Sequence, residues 1–249
     1  MMKAIRTPVV LLGALFVAAC GGDAQTEGDV TTEMADGTVA TSMSGDAADN
    51  SDVALVRVVN AAPDVSQLTI RGDNMQLLPA VNFQNVSDYQ SIDNNWNRFE
   101  ISGANDGTYS PLDINRELLI NGYRYTMVVL REEDGGELRT RILRDDISSD
   151  NSKAHVRVIH AARGTEQVNV VAQGGETLLG VNYGDDKGFE DVAPWSGTLE
   201  LRSEDGNREL LALPNINLEA GVSYTIVLTR KQSSGIEAFW FSDRQAPTP

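Results

Sequence analysis

From residue 54 onward, apolar and polar residues alternate in short runs with a period of two. Val56 and Val58 flank Arg57, and Val156 and Val158 flank Arg157. Similar runs, rich in β-branched and aromatic residues, cover Leu68–Ile70, Arg98–Ile101, Tyr123–Leu130 and Leu138–Leu143. They return at Val168–Val171, Thr198–Leu201, Val222–Leu228 and Ile236–Phe241. This pattern predicts half-buried strands. Turn signals separate the runs: Gly72-Asp73-Asn74, Asp106-Gly107, Asp134-Gly135-Gly136, Asp205-Gly206 and Ser234-Gly235. Pro79, Pro111, Pro194 and Pro214 suit strand edges and loops. No stretch sustains a helical period. The expected fold class is therefore all-β, built as antiparallel immunoglobulin-like sandwiches with Greek-key connections.

The runs come in two sets. Ala54-Leu-Val-Arg-Val-Val-Asn-Ala-Ala62 recurs as Ala154-His-Val-Arg-Val-Ile-His-Ala-Ala162, one hundred residues later. Gln67–Ile70 then matches Gln167–Val170, Val81–Phe83 matches Val181–Tyr183, and Tyr89 falls on Phe189. Further on the shift is ninety-nine, which aligns Trp96 with Trp195, Gly122 with Gly221 and Tyr125-Thr126 with Tyr224-Thr225. Two copies of this length predict tandem domains, since solenoid units are shorter and need three or more copies. The first domain is expected over 54–147 and the second over 153–245, joined by the polar run from Asp145 to Lys153.

Ahead of the repeats lie two segments of different composition. Lys3 and Arg6 form a basic start, Val9–Ala19 is uncharged and mostly aliphatic, and Ala18 and Ala19 lead into Cys20. This order predicts a signal peptide over 1–19, too short for a span of roughly 20 apolar residues. Cys20 is the chain's single cysteine, so it has no disulfide partner within the chain. Val17-Ala18-Ala19-Cys20 resembles the lipobox of bacterial lipoproteins, with Val17 where leucine is commonest. That resemblance implies cleavage before Cys20, diacylglyceryl transfer to its thiol, acylation of its amine with a chain such as palmitate, and a lipid-anchored, exported location. Gly21 stands where aspartate would retain such a protein in an inner membrane, which points to the outer membrane.

Residues 20–53 contain eight acids and neither Lys nor Arg. So polar and uniformly charged a segment predicts a disordered tether, with a reach of roughly 30 Å. The chain as a whole carries a formal charge of −16, which disfavours nucleic acid as a partner.

Val56-Arg-Val-Val-Asn-Ala-Ala-Pro-Asp64 is similar to the opening of a bacterial extracellular repeat known as domain-of-unknown-function family 4397. Leu77-Leu78 with Val81-Asn-Phe83, and Gly122-x-x-Tyr125-Thr126, resemble that family too. The second copy departs from it at Arg163-Gly164, where proline–aspartate is expected. The resemblance implies no activity and no site residues.

Candidate chemistry is sparse. His155 and His160 are the chain's two histidines. Five residues apart on one strand, they face opposite ways and cannot ligate jointly; His160, which replaces Asn60, reads as a turn cap. Glu132-Glu133-Asp134-Gly135 and Glu204-Asp205-Gly206 read as hairpin turns, since they lack the ligand spacing of an EF-hand loop. Asp145-Asp146 and Asp185-Asp186 read as solvated loop charge. Trp96 and Trp195, at matching positions, read as core aromatics, the alternative being rim residues that stack on carbohydrate. There is no Gly-x-Ser-x-Gly and no phosphate-binding glycine loop. The expectations are thus no catalytic residue, no metal and no cofactor, with Cys20 as the one modified site and the membrane as a partner through its lipid. Function is expected to be that of a non-catalytic envelope module, binding a protein or glycan or acting as a spacer. The alternative is an envelope hydrolase using loop carboxylates.

Overall fold

A computed structural model describes residues 28–34, 39–44 and 52–243, apart from 73–74, 93–95, 104–112, 133–136, 176 and 232–234. Cys20, the expected signal peptide and the Glu133–Gly136 turn lie outside the described residues. The side chain of Trp96 does as well.

Each repeat consists of eight strands in two four-stranded sheets. In the first these are β3 (Ala54–Asn60), β4 (Gln67–Gly72), β5 (Met75–Asn82), β6 (Gln90–Ile92), β7 (Trp96–Gly103), β8 (Asp113–Leu118), β9 (Arg124–Arg131) and β10 (Leu138–Arg144). In the second they are β11 (Ala154–His160), β12 (Val168–Ala172), β13 (Thr177–Val181), β14 (Glu190–Val192), β15 (Trp195–Ser203), β16 (Glu209–Leu218), β17 (Ser223–Arg230) and β18 (Ile236–Asp243). One sheet of each repeat runs β10-β9-β3-β6 or β18-β17-β11-β14, and the other runs β5-β4-β7-β8 or β13-β12-β15-β16. The fold is all-β, a pair of sandwiches as the alternation predicts. Pairing is antiparallel throughout except that β3 lies parallel to β9, and β11 to β17.

Of these, β3 and β11 are buried along their whole length. Alternate side chains of β3 therefore enter two different interiors. Ala54, Val56 and Val58 meet Leu68, Ile70, Phe99, Ile101 and Met127 within the first sandwich. Ala154, Val156 and Val158 meet Val170, Leu199, Leu201 and Ile226 within the second. The opposite face contributes Val59 and Ala61 from β3 and its end, and Ile159 and Ala161 from β11 and its end. These join Val128, Leu130, Leu143, Val227, Phe239 and Phe241 in a third apolar cluster drawn from both repeats. The β3 and β11 sheets thus face each other, and the molecule is a stack of four sheet layers.

Part of the acidic stretch expected to be disordered forms strands. β1 (Gly28–Met34) and β2 (Val39–Ser44) pair with each other, and β1 pairs antiparallel with β18. The physical reason is local: Val30, Thr31, Thr32, Val39 and Thr41 favour extended backbone, and the outer edge of β18 offers unpaired peptide groups. Pro79 and Pro214 lie in edge strands β5 and β16, where a missing N–H breaks no ladder. After Pro214, Asn215 takes φ 61° beside a register shift, the geometry of a bulge.

A candidate interaction site at the joint between the repeats

Arg57 and Arg157 lie at the middle of β3 and β11, opposite Thr126 of β9 and Thr225 of β17. Alternation sends both guanidiniums to the face shared by the repeats, and neither is more than 1 % exposed. Their shortest carboxylate contacts are exchanged between the copies, Arg57 keeping a longer one, 3.7 Å, to Asp145 of its own repeat. Arg57 donates from Nη1 to Asp243 Oδ2 at 2.7 Å, so the first repeat's cation meets the second repeat's anion. Arg157 donates from Nη1 to Asp145 Oδ1, also at 2.7 Å, in the reciprocal sense. Asp145 and Asp243 are equivalents: each follows the strand residue paired with Tyr125 or Tyr224. The arrangement therefore has the logic of a two-fold interface written within one chain.

Thr126 joins the two halves. Its hydroxyl accepts from Arg57 Nε at 2.9 Å and from Arg157 Nη2 at 3.2 Å, and donates to Asp145. Tyr89 donates its phenol proton to Asp145 Oδ2 at 2.6 Å. Aromatic faces cover the cations: Arg57 lies 4.6 Å from the ring centres of Tyr89 and Phe241, and Arg157 lies 4.4 Å from that of Phe189. Two cations and two anions leave the cluster neutral, as a buried site requires.

Burial alone would raise the Asp145 pKa, but Arg157 and Arg57, with the Tyr89 and Thr126 hydrogen bonds, hold it below the ordinary 3.8. For Arg57, burial pulls downward and the carboxylates of Asp243 and Asp145 more than offset it. Burial, reinforced by Asp145 and Asp243, keeps the Tyr89 phenol neutral far above its usual value of 10.0. The cluster thus holds Arg57 and Asp145 charged and Tyr89 neutral. It holds two surfaces together.

A family model described as domain of unknown function (DUF4397) matches residues 54–170 and again residues 154–249. The chain belongs to this family. No curated protein matches it. Within the DUF4397 repeat, the residues that carry the likeness have definite tasks. The Val-Arg-Val segment delivers the buried arginine. In Gly-x-x-Tyr-Thr, Gly122 and Gly221 take φ 80° and 71° at the turn into β9 and β17, a backbone that excludes most side chains. The tyrosine hydroxyls then reach back: Tyr125 accepts from the Ile120 N–H at 3.0 Å, and Tyr224 from the Glu219 N–H at 2.9 Å. The threonines are the Arg57 and Arg157 partners already described.

Asn60 and His160 cap the turn after the first strand, as expected of the histidine. Asn60 Oδ1 accepts from the Ala62 N–H at 3.2 Å while Nδ2 donates to Val65 O at 2.9 Å. His160 Nδ1 accepts from the Ala162 N–H at 3.2 Å while Nε2 contacts Glu166 O at 3.0 Å. His155, five residues earlier, turns instead to Asp191 at 2.7 Å. Among the described residues no three His, Cys, Asp or Glu side chains are grouped to hold a metal.

Asp205 is internally satisfied in its hairpin. It accepts from Ser203 and Asn207, which hold its pKa at about 2. Asp185 pairs with Arg141 of the other repeat at 3.1 Å. Trp195 is half-buried and packs against the second core from its edge. Asp145 overturns its expectation: it is a buried member of the joint, whereas Asp146 stays exposed beside Arg144. The reason is that Asp145 continues the line of β10, its N–H bound to Arg124 O at 2.8 Å, so its side chain is carried inward.

Arg57, Arg157, Thr126, Tyr89 and Asp243 escape the sequence reading because an arginine between two valines looks like the wet member of an alternating strand. The available signal is what shares its face: Val59 and Ala61, or Ile159 and Ala161, two and four residues on.

Proposed function

We propose that this DUF4397 protein is a non-catalytic, lipid-anchored module of the cell envelope whose two repeats act as one rigid body. The observation that carries the reading is the joint. The side chains that recur between the copies are buried in a neutral, exchanged ion-pair cluster, where they fix the relative position of the repeats. Residues given over to holding surfaces together suit a scaffold, with ligands taken on loops that the scaffold positions. A groove of about 600 Å³ on the second repeat, with Glu166, Gln167, Ser203, Glu204 and Arg208 in its lining, offers such a loop surface. The Asp106-Gly107 turn lies outside the described residues.

Anchoring is assigned to Cys20, held by its acyl chains to a membrane, with the outer membrane as the proposed address. A single chain binds only reversibly, at about 0.8 kcal/mol per buried methylene, so stable attachment needs two or more. Replacing Cys20 by serine is expected to leave the protein exported and absent from carbonate-washed membranes. A Cys20→Ser protein that still sediments with washed membranes overturns the anchor.

A further inference from the structure

Beside the buried joint, a small recess of about 90 Å³ is lined by Pro63, Asp64, Arg131, Ala161, Arg163 and Arg230. It draws on the first-strand turn of both repeats and on the ends of β9 and β17. Arg131 and Arg230 are equivalents, each the last residue of its strand. Their surroundings differ. In the first repeat Arg131 forks onto Asp64, with Nε to Oδ1 at 3.0 Å and a second contact from Nη2 to Oδ2.

In the second repeat Gly164 stands in the place of Asp64, at φ +72°, and a Cβ there would lie 2.9 Å from Arg230 Nη1. Arg230 Nη1 donates instead to the carbonyl of Arg163 at 2.8 Å. Arg163 in turn replaces Pro63. Two departures from the family pattern thus remove one carboxylate and add one guanidinium at the same spot. The recess holds three guanidiniums against one carboxylate, in a chain whose formal charge is −16. Among the described residues neither Arg163 nor Arg230 makes a direct salt bridge, and the Arg163 charge reaches Asp64 only as a minor cause of that carboxyl's lowered pKa, behind its hydrogen bond to Arg131. Half-buried, like-charged guanidiniums repel one another, and an oxyanion would relieve that repulsion through charge-assisted hydrogen bonds.

We propose that this recess binds a small oxyanion, a carboxylate or phosphate group, held by Arg163 and Arg230 with Arg131 at its edge. The proposal deepens the binding-module reading and rests on it, naming the chemistry the module recognises. Because both repeats line the recess, the joint preorganises it.

The test uses the full-length chain in detergent, titrated with inorganic phosphate or with acetate against chloride at matched ionic strength. A saturable rise in melting temperature with either anion is expected, together with perturbation of the arginine side-chain NMR signals. Whichever anion binds identifies the group, tetrahedral or planar. Phosphate also stabilises proteins by exclusion from their surfaces, so two variants serve as controls. Arg163→Ala and Arg230→Gln each remove a ligand; each should weaken binding about ten-fold or more, as loss of a charge-assisted bond does. Absence of a saturable response to both anions overturns the site, as does a response unchanged in both variants. In that case a chain that still melts as one body and still fractionates with membranes leaves the scaffold reading intact.

Discussion

At position 60 an amide, and at position 160 an imidazole, make the same pair of hydrogen bonds to the turn that follows. The imidazole can do so only while Nδ1 remains an acceptor, hence only while neutral. Burial lowers the His160 pKa below the ordinary 6.5, with the hydrogen bonds to Glu166 and Thr165 opposing. The unfolded chain therefore binds the proton more readily than the folded one. His160 contributes its full stability above pH 6.5 and loses it as pH falls from 6.5 towards the folded value. Asn60 has no such dependence. His160→Asn, which borrows the first repeat's solution, is expected to flatten the fall in melting temperature between about pH 7 and about pH 5. His155 is common to both proteins, so the difference between the two pH profiles reports His160 alone. Equal slopes in parent and variant would refute this assignment.

The cap at His160 was legible from position alone, because a polar residue between a buried strand and two alanines has few other uses. Asp145 was not, because its fate depends on an arginine from the other repeat. Sequence spacing does not express that contact.

Among the elements, runs dominated by β-branched and aromatic residues gave themselves away: β4, β7, β10, β12, β15 and β18 contain the runs predicted for them, and β9 and β17 begin one residue inside theirs. β6, β8, β14 and β16 announce themselves less clearly. Two are three residues long, β8 is an edge strand of mixed polar sequence, and β16 is an edge strand whose exposed positions carry Glu, Pro and Asn. Such short or polar segments resemble loops in composition. The parallel pairing of β3 with β9 was equally hidden, since alternation states which face is wet and not which neighbour is hydrogen-bonded. What the Gly-x-x-Tyr motif does for β9 and β17 can be tested. Tyr125→Phe and Tyr224→Phe each strip a hydroxyl from a backbone N–H without altering ring packing, at an expected cost of about 1 kcal/mol apiece. The two sit in separate repeats, so denaturant titration should find their effects additive within about 0.5 kcal/mol. Inside the sandwiches, Val58→Ala and Val158→Ala should each cost about 1–3 kcal/mol through lost burial and a cavity.

For the molecule as a whole, the shared cluster of Val59, Val128, Leu130, Ile159, Val227 and Phe239 with the exchanged ion pairs makes separate folding of the repeats unfavourable. A lone repeat would expose that apolar face and lose the two short pairs that cross the joint, the first repeat keeping only the 3.7 Å contact of Arg57 with Asp145. The parent chain is therefore expected to melt in one transition by calorimetry. Arg157→Met should lower it sharply, by about 3–5 kcal/mol, because Asp145 is left buried with only Arg57 nearby. Adding Asp145→Leu restores charge balance, since Arg57 keeps Asp243, so the double variant should be more stable than Arg157→Met alone. The surplus measures the coupling across the joint. Acid supplies an independent check: the Asp145 pKa is held below 3.8, so its contribution is complete above that pH and disappears as pH falls below it. Should the parent melt in two steps, with Arg157→Met shifting only one of them and Asp145→Leu adding to the loss, the repeats are independent domains in casual contact. The arginine exchange then holds nothing together.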